Sequence, residues 1–73
     1  MNEAKLKKTI GVNLQKARKA RHYTQKDVAE KVGLTTNYYA TLEQGVAIAS
    51  VETLYEIFTV LGVKASDIFP NRA

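Results

Sequence analysis

The chain has 73 residues, 45% of them hydrophobic, and a net charge of +4, which suits one small folded core rather than two domains or a disordered segment. It has no cysteine, so neither disulfides nor thiolate metal ligands can stabilise it, and well-packed helices or a partner must do so. No stretch is apolar enough to span a membrane and the N-terminus lacks the apolar centre of a signal peptide, so a soluble cytoplasmic protein is expected.

Leu6, Ile10, Leu14 and Ala17 recur at steps of four, four and three, a helical stripe with Lys7, Lys8, Lys16 and Lys19 mostly off it. It predicts a first helix from about Lys5 to Arg21. Gly11 inside it costs on the order of 1 kcal/mol relative to alanine, a cost that close approach of another helix would explain. Thr24 reads as the N-cap of a second helix, with Asp27 as the acidic member of a capping box. Val28, Ala29 and Val32 form the buried side of that helix. Gly33 stops it in the left-handed geometry of a C′ residue, and Leu34 follows as the apolar C″ residue. Thr35 caps a third helix, with Tyr39 and Leu42 facing inward and Gly45 ending it. Ser50 caps a fourth, whose stripe is Val51, Leu54, Phe58 and Leu61, widened by Ile57. Gly62-Val63 repeats the Gly33-Leu34 stop. A last helical turn is expected from Ala65 to Phe69, closed by Pro70. No strand-like alternation interrupts the pattern, so the chain reads as a single all-α domain of five helices.

The charge is unevenly spread. Residues 1–31 carry +6 and residues 32–73, with Lys64 and Arg72 against Glu43, Glu52, Glu56 and Asp67, carry −2. Such asymmetry points one end of the molecule at a polyanion, although a solvated basic helix would look the same. Between Thr24 and Gly45 lie two short helices joined by a glycine turn, and the front of the second is polar and uncharged. Such a projecting helix fits the DNA major groove, where hydroxyl and amide groups can read base edges.

These residues resemble the Cro/cI-type (XRE-like) helix-turn-helix domains of phage repressors and many bacterial regulators. The resemblance covers roughly residues 10–69 and rests on Ile10-Gly11, Leu14, Arg18, Thr24-Gln25, Val28-Ala29, Val32-Gly33-Leu34-Thr35, Leu42-Glu43-x-Gly45, Ser50-Val51-Glu52-Thr53-Leu54, Leu61-Gly62-Val63 and Asp67-Ile68-Phe69. It implies a compact five-helix bundle of the lambda repressor-like type, one domain over residues 1–73 with its helix-turn-helix at about 24–45. It assigns Thr24 and Gln25 to phosphate contact, in keeping with the free N–H groups and partial positive charge of a helix start. Tyr38 and Gln44 are expected as further phosphate-contact residues, with half-buried packing the alternative for Tyr38. Thr35, Thr36, Asn37 and Thr41 fall where base edges are read; residues 37 and 41 stand one turn apart, an Asn amide can pair with adenine, and Thr methyls can touch thymine methyls. Arg18 and Glu43 match a buried ion pair.

The sequence departs from the family pattern at several places, among them Thr41 and Gln44, which stand where a basic residue is common. The loop Val46-Ala47-Ile48-Ala49 is apolar where a polar or basic segment is usual. Tyr39 stands at an inward position that is usually aliphatic. Lys64 replaces the usual serine cap, so a frayed fifth helix is expected.

Other chemistry finds little support. His22 is the lone histidine and reads as a turn residue, so no metal site can be drawn and no cofactor or small-molecule ligand is indicated. Asp27 and Glu30 lie on a surface helix, no Ser-His-Asp set or phosphate loop is present, and an enzyme is not expected. The expectation is a sequence-specific regulator of double-stranded DNA, a repressor occupying a palindromic operator as a homodimer in the bacterial or phage-infected cytoplasm, at the nucleoid. Val46 and Ile48 are the expected dimer contacts, since four consecutive apolar residues in a surface loop are otherwise a liability; inward folding of the loop is the alternative. The competing function is an antitoxin-like or adaptor module that binds protein and holds DNA only weakly.

Overall fold

Helix starts are set by side chains that satisfy otherwise orphaned N–H groups. The computed structural model describes residues 2–70; Arg72, counted in the charge of the second half, lies outside them. Asn2 Oδ1 accepts from the Lys5 N–H at 2.8 Å, so α1 (Glu3–Ala20) begins two residues earlier than its apolar stripe alone suggests. Thr24, Thr35 and Ser50 cap α2 (Gln25–Val32), α3 (Thr36–Gln44) and α4 (Val51–Leu61). At α5 (Ala65–Ile68), Lys64 has no side-chain oxygen to offer. Asp67 instead reaches back to accept from the Lys64 N–H at 2.9 Å, and the helix is a single turn.

Helix ends follow from backbone geometry. Gly33 and Gly62 adopt φ of 74° and 68°. The N–H groups of Leu34 and Val63 then bond the Ala29 and Phe58 carbonyls at 2.8 and 3.0 Å, the crossed bonds of a glycine-stopped helix. The reversal between α1 and α2 is made by His22 at φ 61°, where a left-handed conformation is found outside glycine. An L-residue there costs about 1–2 kcal/mol.

The described residues form an all-α fold of five helices. Leu14, Val28, Ala29, Tyr39 and Ile57 are wholly buried, and Ile10, Leu42, Ala49, Leu54, Phe58, Leu61 and Ile68 complete the core. Leu6, Ala17, Val32 and Leu34 pack at its margin. Phe58 and Phe69 meet edge to face, with ring centres 5.9 Å apart. Val51 is a correction to the expected α4 stripe: it is 79% exposed. It opens the helix on the flank of the face that Leu54, Ile57, Phe58 and Leu61 turn inward, so no core lies beneath it.

Two contacts hold the middle of α1 against its neighbours. Gly11 lies against the backbone of α3: a Cβ there would fall 2.7 Å from the Leu42 carbonyl oxygen and closer still to that of Glu43. On another side of α1, Asn13 Nδ2 donates to the Ile68 carbonyl at 2.7 Å, tying down the end of α5. Nothing in the local pattern around Asn13 signals that role, because its partner lies 55 positions away.

Candidate nucleic-acid interface

Helix α3 turns Tyr39, Leu42 and Glu43 inward. The opposite face therefore carries Asn37 and Gln44 into solvent with Thr41 half-buried between them, while Thr36 and Tyr38 are exposed on the flanks of the first turn. A helix with its side chains is about 10–12 Å across and the major groove about 12 Å wide, so this face can enter it. The side chains differ in what they have left to offer. Thr35 Oγ1 accepts from the Tyr38 N–H at 3.1 Å as the cap. The Thr41 hydroxyl donates to the Tyr38 carbonyl at 2.6 Å, which leaves its methyl group and oxygen lone pairs. Among the described residues, no hydrogen bond uses the side chains of Thr36 or Asn37, so their donors and acceptors stand free on the exposed face.

At the start of α2, the Asp27 N–H donates to Thr24 Oγ1 at 3.0 Å and the Thr24 N–H to Asp27 Oδ2 at 2.8 Å. The Thr24 backbone and side-chain hydrogen bonds hold the Asp27 carboxyl below its usual range. The Val28 N–H is turned to the Thr24 carbonyl. The N–H groups of Gln25 and Lys26, at the first two helical positions, have no intrahelical partner and face outward with the positive end of the helix dipole.

Behind both elements lies a buried polar cluster. Arg18 Nε donates to Glu43 Oε2 at 2.7 Å and Arg18 Nη2 to Glu43 Oε1 at 3.1 Å, a two-pronged pair joining α1 to α3. The two side chains are 10% and 2% exposed. Arg18 Nη1 donates to the Tyr23 carbonyl at 2.8 Å, and Gln25 Nε2 donates to Glu43 Oε1 at 3.0 Å. Burial alone would raise the Glu43 carboxyl; the hydrogen bonds from Arg18 and Gln25 outweigh it and hold the group below its usual range. Arg18 is correspondingly raised by its bond to Glu43. Burial, and the neighbouring carboxylate, push the Tyr39 phenol well above its usual range. Its hydroxyl lies near Glu43 but outside hydrogen-bond geometry, and it is a buried polar atom without a partner. Tyrosine in this usually aliphatic position thus fills the space without completing the network.

The α3–α4 loop alternates. Val46 and Ile48 are 66% and 43% exposed, while Ala49 is buried. The loop is held by the Val46 N–H donating to the Thr41 carbonyl at 3.0 Å, which leaves both branched side chains outside. Val51 and Tyr55 add exposed apolar surface on α4. They border a groove of about 240 Å³ floored by Leu54, Phe58 and Phe69, a feature that the sequence pattern hid because Val51 reads as a core residue. Tyr23 is a second feature that sequence reasoning passed over: the Arg21 and Lys31 cations lie 6.0 and 5.4 Å from its ring centre, within cation–π range.

The structure thus brings Thr24, Gln25, Arg18 and Glu43 together. It exposes Thr36, Asn37, Tyr38 and Gln44 on α3, Asn37 and Gln44 on the face opposite the core and Thr36 and Tyr38 on its flanks, and sets Val46 and Ile48 apart on the loop beyond it. Among the described residues no helix is long and apolar enough to cross a membrane.

Comparison with known proteins agrees with this geometry. The helix-turn-helix family model matches residues 14–68. An uncharacterized HTH-type transcriptional regulator, y4dJ, of Sinorhizobium fredii is 34% identical over 58 residues, covering 80% of this chain and 75% of its own length. Two crystal structures of the clp gene regulator ClgR from Corynebacterium glutamicum superpose with a TM-score of 0.82 at 27% identity. Each covers 86% of this chain, and the match covers 67% of one ClgR chain and 81% of the other. The chain belongs to the helix-turn-helix family of DNA-binding transcriptional regulators.

Proposed function

We propose that this regulator is a repressor that occupies a palindromic operator as a homodimer in the bacterial cytoplasm, at the nucleoid. The observation that carries the reading is the free polar face of α3, with Thr36 and Asn37 unengaged beside the half-committed Thr41. Asn37 pairs with an adenine edge and Thr36 and Thr41 lie against thymine methyls. Thr35, spent as a cap, adds its hydroxyl proton. Thr24 and Gln25 at the start of α2, with Tyr38 and Gln44, hold the flanking phosphates and set the register. One recognition helix covers too few base pairs to select a site in a genome. Two copies on half-sites about 34–36 Å apart double the readout, with Val46 and Ile48 at the contact between them. Repression follows from occlusion of the promoter.

A second reading is supported by the α3–α4 loop. It carries no basic residue where a backbone-contacting segment would profit from one, and its exposed side chains are apolar. An antitoxin-like or adaptor protein that docks a protein partner and holds DNA weakly would have such a loop.

Selection of duplexes from a random library, followed by binding of the enriched pool at several salt concentrations, tests both. A two-fold symmetric consensus bound far more tightly than scrambled duplex supports the operator reading. A pool that gains no consensus, with weak binding indifferent to sequence, overturns it and favours the interaction module.

A further inference from the structure

The start of α2 is gripped on both sides of its cap. Tyr23 and Gln25 flank Thr24. Arg18 Nη1 holds the Tyr23 carbonyl at 2.8 Å and Glu43 Oε1 holds Gln25 Nε2 at 3.0 Å. Arg18 and Glu43 are themselves locked together through both prongs of the guanidinium. Neither contact is required to begin the helix, because the Thr24–Asp27 box already caps it through the Thr24 and Asp27 N–H groups. What the two contacts fix is where that first turn sits, and which way the Gln25 side chain points.

The direction is determined by chemistry. An ionised carboxylate only accepts hydrogen bonds, so the Gln25 amide must turn its nitrogen, not its oxygen, toward Glu43. One amide hydrogen is then committed inward and the other remains for a ligand. Glu43 rides on α3, the helix whose exposed N-terminal turn carries Thr36 and Asn37. A single carboxylate therefore joins the helix that meets base edges to the side chain at the phosphate-facing end of α2. A long side chain left free would have several rotamers to lose on binding; here its rotamer is set before DNA arrives.

We infer that Glu43 is a positioning residue for DNA binding: with Arg18 it orients the Gln25 amide and the first turn of α2 toward the phosphate backbone, at a fixed offset from the reading face of α3. The inference rests on Gln25 meeting phosphate, as proposed above. It makes the buried ion pair part of the binding machinery as well as of the core.

A double-mutant cycle on affinity tests it. Wild type, Gln25→Leu, Glu43→Leu and the double variant are titrated against one random-sequence duplex and one enriched by selection, at a temperature where circular dichroism shows all four folded. Glu43→Leu leaves the Gln25 amide no acceptor, whereas glutamine would keep one. Glu43→Leu should weaken both duplexes by the same factor, about two- to tenfold, the worth of one hydrogen bond. Gln25→Leu should do the same. In the Gln25→Leu background, Glu43→Leu should cost distinctly less than in the wild type, because part of its effect runs through Gln25. An equal loss in both backgrounds, or no loss from Glu43→Leu, overturns the positioning role while leaving the phosphate role of Gln25 intact. Full affinity in Gln25→Leu overturns both. If Glu43→Leu does not fold, Arg18→Met with Glu43→Leu takes its place in the cycle and is read by the same criteria.

Discussion

Gly11 of α1 and Glu43 of α3 meet backbone against backbone. A Cβ on Gly11 would overlap the Glu43 carbonyl and lie 2.7 Å from that of Leu42. The obstacle is main chain, which cannot swing aside as a side chain can. Gly11→Ala gains on the order of 1 kcal/mol of helix propensity and loses more to overpacking, so the variant should be net less stable by about 1–3 kcal/mol. Urea unfolding measures it; a variant as stable as the wild type would show that α1 and α3 do not approach this closely.

The ion pair behind this contact should behave asymmetrically. Removing Glu43 alone leaves the Arg18 guanidinium buried without its counterion, so Glu43→Ala should lose on the order of 3–5 kcal/mol. Replacing both partners, Arg18→Met with Glu43→Leu, removes the charge along with its partner and should cost distinctly less. Equal melting temperatures for Glu43→Ala and wild type would contradict the buried pair.

The same pair sets an acid limit. The Glu43 carboxyl is lowered in the fold from an ordinary value of 4.5. A depressed carboxylate contributes stability that is present above its unfolded value and lost as pH falls through the folded one. Stability should therefore decline as pH drops below about 4.5, more steeply in the wild type than in the Arg18→Met, Glu43→Leu variant. Asp27 is also lowered, by its bonds to Thr24, and contributes the same sign to both proteins. Parallel pH profiles would remove Glu43 as the source.

Base reading predicts a different signature. Asn37→Ala should weaken the selected operator by about 1–3 kcal/mol and leave scrambled duplex nearly untouched. The side chain is exposed and unengaged, so the fold should not change. Equal losses on both duplexes would mean that Asn37 contacts backbone only.

Local features were legible in the sequence because their causes are local. Thr24 with Asp27, the glycines at 33, 45 and 62, and the Leu6-Ile10-Leu14-Ala17 stripe each carry their reason within a few residues. The cost of Gly11 pointed to a close approach, though not to which helix. What stayed hidden depends on contacts across the fold. Gln25 and Glu43 are 18 positions apart, and the pattern assigned Gln25 outward only, without its inward bond. Asn13 gives no sign of its hold on α5. Val51 keeps the spacing of a core residue, but spacing cannot tell that the core ends beside it. In the α3–α4 loop, composition marked Val46 to Ala49 as unusual, yet only the backbone path separates the outward Val46 and Ile48 from the inward Ala49.

That loop is the place to test self-association. Val46 and Ile48 remain largely in solvent, and exposed branched apolar side chains on a small domain mark contact surfaces more readily than they aid solubility. A symmetric dimer would place the same patch of both copies face to face, weakly in solution and more firmly when two half-sites hold the copies side by side. Ile48→Asp puts a charge into that contact outside the core, because Ile48 is exposed and not among the buried residues. The variant should keep its melting temperature, still bind a single half-site, and lose cooperative occupation of two. Titration of one- and two-half-site duplexes measures this directly. A folded Ile48→Asp protein that still fills both half-sites cooperatively would place the dimer contact elsewhere on the domain.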